Sequence, residues 1–366
     1  MSRARGIVAI GLLSLPVLAV AAAAVFWFFF DRPLAGDGSV EIVVKRGAVF
    51  SETAADLERE GLVKDADYLT LRFRILSKLD LVGQNQAGRY VMERGLKPSQ
   101  YISALTSPSS ANRVYVDLVL PPGLTSSQIA LKIEESGLAA AEDVLSAIKV
   151  LAGDYPVPPR PEGLQGYLFP DTYKIEKPLD GDSSAETAEE IVRQMTETFF
   201  EVLDEVDPTW KDLTPARLHE KVTLASIVER EYRVAEEAPM IAAVFNNRIM
   251  DGTIGLQSCA TVVYAIEETA EGAPFRKEYH AFDRRIFNHY LEIPSPYNTY
   301  YNHGLPPGPI SNPGRTALEA AFFPADSDAL FFVVKDPVAG THVFSRSYDD
   351  HLDAREAYLK QYVVKD

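Results

Sequence analysis

The chain opens on an uninterrupted apolar run. Residues 6–30 include no charged side chain, and as a helix the run is long enough to cross a hydrocarbon core of roughly 30 Å. Beyond it the pattern changes to short strand and helix periods. Ile42, Val43 and Val44 predict a strand, Gly47 a turn, and Ala54 with Leu57 the apolar face of a helix that ends near Gly61-Leu62. The same pattern returns without gaps at residues 118–145, as Leu118, Val119 and Leu120, then Gly123, then Ala130 with Ile133, then Gly137-Leu138. The matched glycines suit a tight turn and a helix C-cap, which need positive φ or a missing side chain. Between the copies, residues 88–91 and 99–105 predict a further strand and helix. Later, residues 191–206 predict a helix, with the acidic residues 180–190 as an exposed loop running into it. Thr214-Pro215 predicts the start of another, with Thr as N-cap and Pro at the first helical position. Its period carries it to about Tyr232.

These elements predict an α+β chain in several parts. A short tail at residues 1–5 precedes the transmembrane helix at 6–30. A small α/β module occupies 41–110, the second repeat and a connector 111–154, and a C-terminal α+β domain 155–366. The proline-rich stretch Tyr155-Pro156-Val157-Pro158-Pro159-Arg160-Pro161 reads as the linker into that last domain. Arg3, Arg5 and the amino terminus flank one end of the span and only Asp31 and Arg32 the other, so the positive-inside bias puts the N-terminus in the cytoplasm and the folded part outside. Phe26, Trp27 and the phenylalanines that follow read as an interfacial aromatic belt, and Pro16 is tolerable in a membrane helix. A cleavable signal peptide, with Ala21, Ala22, Ala23 and Ala24 as its small-residue site, is the alternative.

Composition narrows the classes of partner. The net charge of −16 argues against nucleic acid, whose phosphates call for a basic surface. Cys259 is the only cysteine, so no internal disulfide can form.

The most informative single residue is Glu229. On the predicted helix it falls in the middle of the arc made by Leu218, Val222, Ala225 and Tyr232. A carboxyl there faces apolar surroundings that disfavour its charged form and raise its pKa towards the range of a general acid. Glu231 projects about 200° away, near the edge of Leu224 and Ile227, so the two glutamates do not serve one site from a straight helix. The competing reading makes Glu229 a structural carboxylate paired with an arginine such as Arg248.

Two resemblances sharpen this. The strand-helix units of the repeat resemble LysM-type glycan-binding modules, against the alternative of a duplicated spacer that sets the height of the C-terminal domain above the membrane. The run Leu224-Ala225-Ser226-Ile227-Val228-Glu229-Arg230-Glu231 resembles the helix that carries the catalytic glutamate of the YceG-like (MltG) endolytic murein transglycosylases. Further blocks follow in that family's order. They are Gly166-Tyr167-Leu168-Phe169-Pro170-Asp171-Thr172-Tyr173, then Val244-Phe245-Asn246-Asn247-Arg248, then Leu256-Gln257-Ser258 with Ala260-Thr261-Val262. After them come Ser295-Pro296-Tyr297-Asn298-Thr299-Tyr300, Gly304-Leu305-Pro306-Pro307-Gly308-Pro309-Ile310 and Asn312-Pro313-Gly314. One departure stands out: Gln165 occupies a position where the family usually has Glu.

The resemblance implies cleavage of the β-1,4 bond between N-acetylmuramic acid and N-acetylglucosamine, with Glu229 as acid and then base and a 1,6-anhydro sugar as product. It implies no metal and no cofactor, and as partners peptidoglycan glycan strands, the inner membrane and peptidoglycan synthases. Gln257, Ser258 and Asn298 are the candidates to hold acetamido groups, and Tyr297 and Tyr300 to stack on sugar faces; plain packing around a turn is the alternative for the tyrosines. Residues 305–309 read as a rigid wall of the cleft. The spacings of His303, His342 and His351 match no ligand pattern, and Cys259 reads as a small buried hydrophobe. Two rival functions remain open. One is a muramidase hydrolase using Glu231 or Asp171 as second carboxylate, the other a non-enzymatic wall-binding scaffold.

Overall fold

The computed structural model describes Val25 and residues 31–363. The predicted tail and, but for Val25, the predicted span at 6–30 lie outside the described residues. Among the described residues no helix is long and apolar enough to cross a membrane. The fold is mixed α+β, mainly helical, with three two-stranded sheets among the described residues.

The chain divides into two compact units, Met1–Val116 with Lys174–Asp182, and Asp117–Tyr173 with Ser183–Asp366. In the first, β1 (Ser39–Val44) pairs antiparallel with β2 (Gly88–Glu93), in a register that sets Ile42 against Tyr90 and Val44 against Gly88. Alternation buries Ile42, Val44, Tyr90 and Met92 on one face. Helices α1 (Phe50–Arg59), α2 (Ala66–Lys78) and α3 (Pro98–Thr106) complete that core with Phe50, Leu57, Leu69, Tyr101, Ile102 and Leu105. The strand and helix predicted between the repeat copies are β2 and α3.

The second copy of the repeat folds like the first. Strand β3 (Tyr115–Val119), which pairs with β4 (Thr172–Glu176), leads through Gly123 into α4 (Ser126–Glu135) and then α5 (Ala141–Val150). Gly47 and Gly123 both turn the chain at positive φ (75° and 82°), and Gly61 and Gly137 both follow a helix end at positive φ (68° and 73°). These are the conformations the matched glycines were predicted to supply. The α4 and α5 helices belong to the second unit. The proline-rich stretch also lies within that unit, where Val157 is buried and Tyr155 stacks on Phe200 at 5.6 Å. Apolar contact, absent from a free linker, fixes it there.

The rest of the second unit comprises α6 (Ser184–Val206), α7 (Pro215–Glu231), α8 (Ala238–Asp251), α9 (Cys259–Glu268), α10 (Ala273–Ala281) and α11 (Arg315–Phe322). The antiparallel pair β5 (Phe331–Asp336) and β6 (Thr341–Ser345) and helix α12 (Tyr348–Tyr358) close it. Helix α6 starts earlier than the pattern predicted. Ser183 caps it by accepting from the Glu186 N–H, and acidic residues read as loop occupy its first turns, where the helix dipole favours negative charge.

Helix α7 is the axis of this unit. It packs on α8, α9 and α11, and every residue from Val222 to Val228 is buried. Such all-round burial marks an interior helix. It explains why one amphipathic arc could be read from the sequence although a second apolar edge, with Leu224 and Ile227, is also covered. Close approach beside it requires Gly166, whose φ is +92° and on which a Cβ would overlap the ring of Pro309 and come within 3.2 Å of Val222 Cγ1. Gly166→Ala therefore adds left-handed strain and a clash, and is expected to cost roughly 2–4 kcal/mol in urea unfolding. An unchanged midpoint would contradict this packing.

Candidate active site

Helix α7 begins as its sequence dictates. Thr214 Oγ1 accepts from the Arg217 N–H at 3.3 Å, and Pro215 fills the first helical position. The end of the helix is held by what lies against it. Ser226 Oγ accepts from the Ile310 N–H at 3.0 Å and donates to Thr223 O at 2.7 Å, while Ser311 Oγ donates to Ser226 O at 3.0 Å. Residues 310–311 are thereby latched along α7.

The next residue, Asn312, is almost wholly buried and ties three segments together. Its Oδ1 accepts from the N–H groups of Gly166 (2.9 Å) and Leu168 (3.0 Å), and its Nδ2 donates to Leu124 O at 3.0 Å. Its backbone exchanges bonds with residues 123 and 124, the Gly123 N–H donating to Asn312 O and the Asn312 N–H to Leu124 O. Two residues on, the Gly314 N–H donates to Glu229 Oε2 at 2.9 Å. The Tyr232 hydroxyl lies 3.5 Å from Oε1. On the other side the repeat glycine, Gly123, brings bare backbone close: a Cβ there would lie 3.5 Å from Arg230 Cδ and 3.8 Å from Glu229 Cγ. Arg230 Nη1 donates to Gly123 O at 2.8 Å.

This environment sets the protonation of Glu229. Desolvation dominates, and although the Gly314 N–H, the Tyr232 hydroxyl and the Arg230 charge favour the carboxylate, the pKa is pushed up to about 7. The group is therefore divided between acid and base near neutral pH, as a general acid-base requires. Because the folded pKa is raised above 4.5, the folded state holds the proton more tightly than the unfolded chain. Stability from this group falls as pH rises through that window and is lowest above about 7.

Arg248 does not neutralise Glu229. Its guanidinium donates to Leu330 O at 2.6 Å and to Leu256 O at 2.6 Å, knitting α8 to the neighbouring loops. Glu231 faces elsewhere too, accepting from Ser258 Oγ, and desolvation raises its pKa. Asp171 is exposed and accepts from the Thr172 N–H at 2.7 Å. Neither carboxyl is among the groups acting on Glu229.

The other predicted residues are distributed unevenly. Ser258 is buried against Glu231, and its N–H donates to Thr299 Oγ1 at 3.1 Å. Gln257 is exposed with φ 52°, its N–H donating to Thr299 O. Tyr300 is half-buried with its hydroxyl 3.3 Å from Cys259 Sγ. Gln257, Ser258 and Tyr300 thus gather beside Glu231 and Thr299. Asn298 is fully buried, its Nδ2 donating to Leu291 O and Ile293 O at 2.9 Å and its Oδ1 accepting from the Tyr300 N–H. Those bonds shape the loop and leave the amide turned inward. Tyr297 is buried against Tyr264 and donates to Glu162 Oε1 at 2.9 Å. Cys259, expected to be buried, is exposed as a residue at the start of α9, although its Sγ lies against the Tyr300 hydroxyl. Its thiol pKa is raised by desolvation, against a thiolate nucleophile. His342 pairs with Glu237 at 2.7 Å and His303 Nδ1 lies 3.2 Å from Gly252 O; among the described residues no His, Cys, Asp and Glu group could hold a metal.

Sequence reasoning singled out Glu229 and gave no role at the site to Asn312, Gly314 or Gly123, which shape its surroundings. The Asn-Pro-Gly run and the repeat glycine were the available signals; backbone donors leave no side-chain signature.

Comparison with known proteins fits this arrangement. The YceG-like family matches residues 42–357. The chain belongs to the YceG-like family. Among its relatives, a Bacillus subtilis protein named endolytic murein transglycosylase is 28% identical over 88% of this chain and 85% of its own length. A Streptococcus pneumoniae protein of the same name is 28% identical over 85% of this chain, which spans 57% of that longer protein. A crystal structure of a yceG-like protein from Listeria monocytogenes is 27% identical with a TM-score of 0.54, covering 86% of this chain and 98% of that one. The YceG-like match spans both units, and Glu229 with its Gly314 donor falls within it.

Asn312→Ala would strip the partner from two buried N–H groups, while the Leu124 carbonyl keeps the Asn312 N–H, and is expected to lower stability by roughly 2–4 kcal/mol in urea titration. A loss below about 1 kcal/mol would show that the loop does not depend on this amide.

Proposed function

We propose that the chain is a membrane-anchored endolytic murein transglycosylase in which Glu229 serves as both acid and base. The observation that carries the reading is the half-buried Glu229 carboxyl, whose pKa of about 7 leaves it able to give a proton and then take one. The names of the Bacillus and Streptococcus relatives supply the substrate class. In the proposed reaction the protonated carboxyl donates to the glycosidic oxygen between N-acetylmuramic acid and N-acetylglucosamine, and that bond breaks. The resulting carboxylate removes the proton from the muramic acid 6-hydroxyl, whose oxygen bonds to the anomeric carbon. The proton returns to Glu229, water is not consumed, and the strand ends in a 1,6-anhydro ring. The Gly314 N–H favours the carboxylate stage of this cycle.

The hydrolase alternative asks for a second carboxyl near the acid. Glu231 is committed to Ser258, and Asp171 is exposed. Within the proposal, residues 6–30 hold the enzyme at the inner membrane with its N-terminus in the cytoplasm, the small first unit acts as a LysM-like glycan-binding module, and synthases that polymerise glycan are neighbours in the membrane.

The test is mass spectrometry of products from uncross-linked murein strands. The wild type is expected to leave anhydro ends, lighter by one water than reducing ends, with Glu229→Gln at least about 1,000-fold slower and the wild-type rate falling as pH rises through 7. Reducing ends would make the protein a hydrolase, and products from the variant at the wild-type rate would remove Glu229 from the chemistry.

A further inference from the structure

A cavity of about 300 Å³ opens in the second unit, and Glu229 is not among its walls. That volume lies at the lower end of small-ligand sites, about 300–1,000 Å³. Three buried polar atoms on its walls have no partner among the described residues: Ser126 Oγ, Glu162 Oε2 and Gln165 Nε2. Gln165 is only 3% exposed and Ser126 only 8%. Each of the three groups is fixed by a bond that leaves the orphan atom over. Gln165 Oε1 accepts from the Ser126 N–H at 2.7 Å, and Tyr297 donates to Glu162 Oε1 at 2.9 Å. The neighbouring Glu268 is satisfied on both oxygens by Thr125 and Ser127 at 2.7 and 2.8 Å.

Buried polar atoms are rarely left unpaired, each costing about 1–3 kcal/mol, so three on one cavity specify what would complete it. An amide nitrogen can only donate, a carboxylate oxygen can only accept, and a hydroxyl can do either. A simple cation would leave Gln165 unpaired, and a simple anion would leave Glu162 unpaired. A neutral group with a carbonyl and an N–H satisfies both, and Leu145 and Ile148 on the same wall suit a methyl. We propose that this cavity is a saccharide subsite that takes the acetamido group of an N-acetylated amino sugar, its carbonyl accepting from Gln165 Nε2 and its N–H donating to Glu162 Oε2. The choice of a sugar over another amide rests on the murein reading above. Gln165 is then a specificity determinant, selecting acetylated over deacetylated glycan, and Tyr297 contributes by holding Glu162 rather than by stacking on a sugar.

The probes are the tetramer of N-acetylglucosamine and the tetramer of glucosamine, offered to the full chain in detergent and followed by calorimetry and saturation-transfer NMR. The wild type is expected to prefer the acetylated tetramer, with saturation at its methyl groups. Gln165→Glu keeps the acceptor for Ser126 but loses the donor, and should weaken the acetylated tetramer at least about tenfold while raising affinity for the free amine. Leu145→Trp, which fills the cavity from its half-buried rim without touching a hydrogen bond, should weaken both. Equal wild-type affinities, no binding, or binding indifferent to both variants would overturn the subsite and leave the cavity to water. Murein cleavage is followed in parallel. Cleavage with variant-indifferent tetramer binding sinks the subsite alone, whereas variant-dependent binding without cleavage sinks the murein reading alone.

Discussion

The buried side chain of Asn312 is the joint on which the rest of the site depends. One amide satisfies two N–H groups, of Gly166 and Leu168, and the Leu124 carbonyl. Residues 124, 166–168 and 312 are far apart in sequence and irregular in backbone, so the Gly166 and Leu168 N–H groups have no helix or sheet ladder to pair them. Every buried backbone group must find a partner, and a side chain with both a donor and an acceptor at its tip is the economical way to supply it. With Ser226 latching residues 310–311 onto α7, the position of Gly314 follows, and with it the one backbone donor aimed at Glu229.

That placement explains why a costly group is tolerated. A carboxyl on an interior helix wants either a cation or a proton. Arg248 is occupied by carbonyls, and Arg230 acts on Glu229 only weakly beside the desolvation. The site therefore holds the group near the balance point of its two forms, with one N–H and the Tyr232 hydroxyl to steady the charged one. Stability given up above neutral pH is the counterpart of an acid that still carries its proton there. The second carboxyl on the same helix is handled differently. Glu231 has Ser258 as its partner and lies on the other side of the axis, so burial of two glutamates two residues apart produces two separate environments.

Much of this is legible in the sequence alone. The matched glycines of the repeat announced turns and helix ends that the structure places at positive φ, because a residue without Cβ is the direct trace of a backbone requirement. The cap of α7 and the placement of Glu229 followed from spacing alone. What spacing could not give was the identity of the neighbours. Asn298 looked like a ligand-binding amide and is a loop brace; Tyr297 looked like a stacking platform and is buried with its hydroxyl on Glu162. A polar side chain in a loop motif has the same appearance in sequence whether it faces a cleft or its own backbone, and only burial separates the two. The start of α6 was missed for a related reason. Its acidic first turns read as solvated loop, although the helix dipole favours such residues there. Gln165, noted only as a departure, lies buried against the α4 N-terminus with one end of its amide unpaired.

The central claim is that a desolvated Glu229 carboxyl, met by the Gly314 N–H and the Tyr232 hydroxyl, shares its proton near neutral pH. Its direct test is a titration of the side-chain carboxyl by NMR in protein labelled with carbon-13 at glutamate Cδ, the signal assigned by its loss in Glu229→Gln. A midpoint near 7 is the result the structure requires. A midpoint at 4–5, the ordinary range of an exposed glutamate, would mean that the carboxyl is solvated or paired, and the account of the site would fail with it.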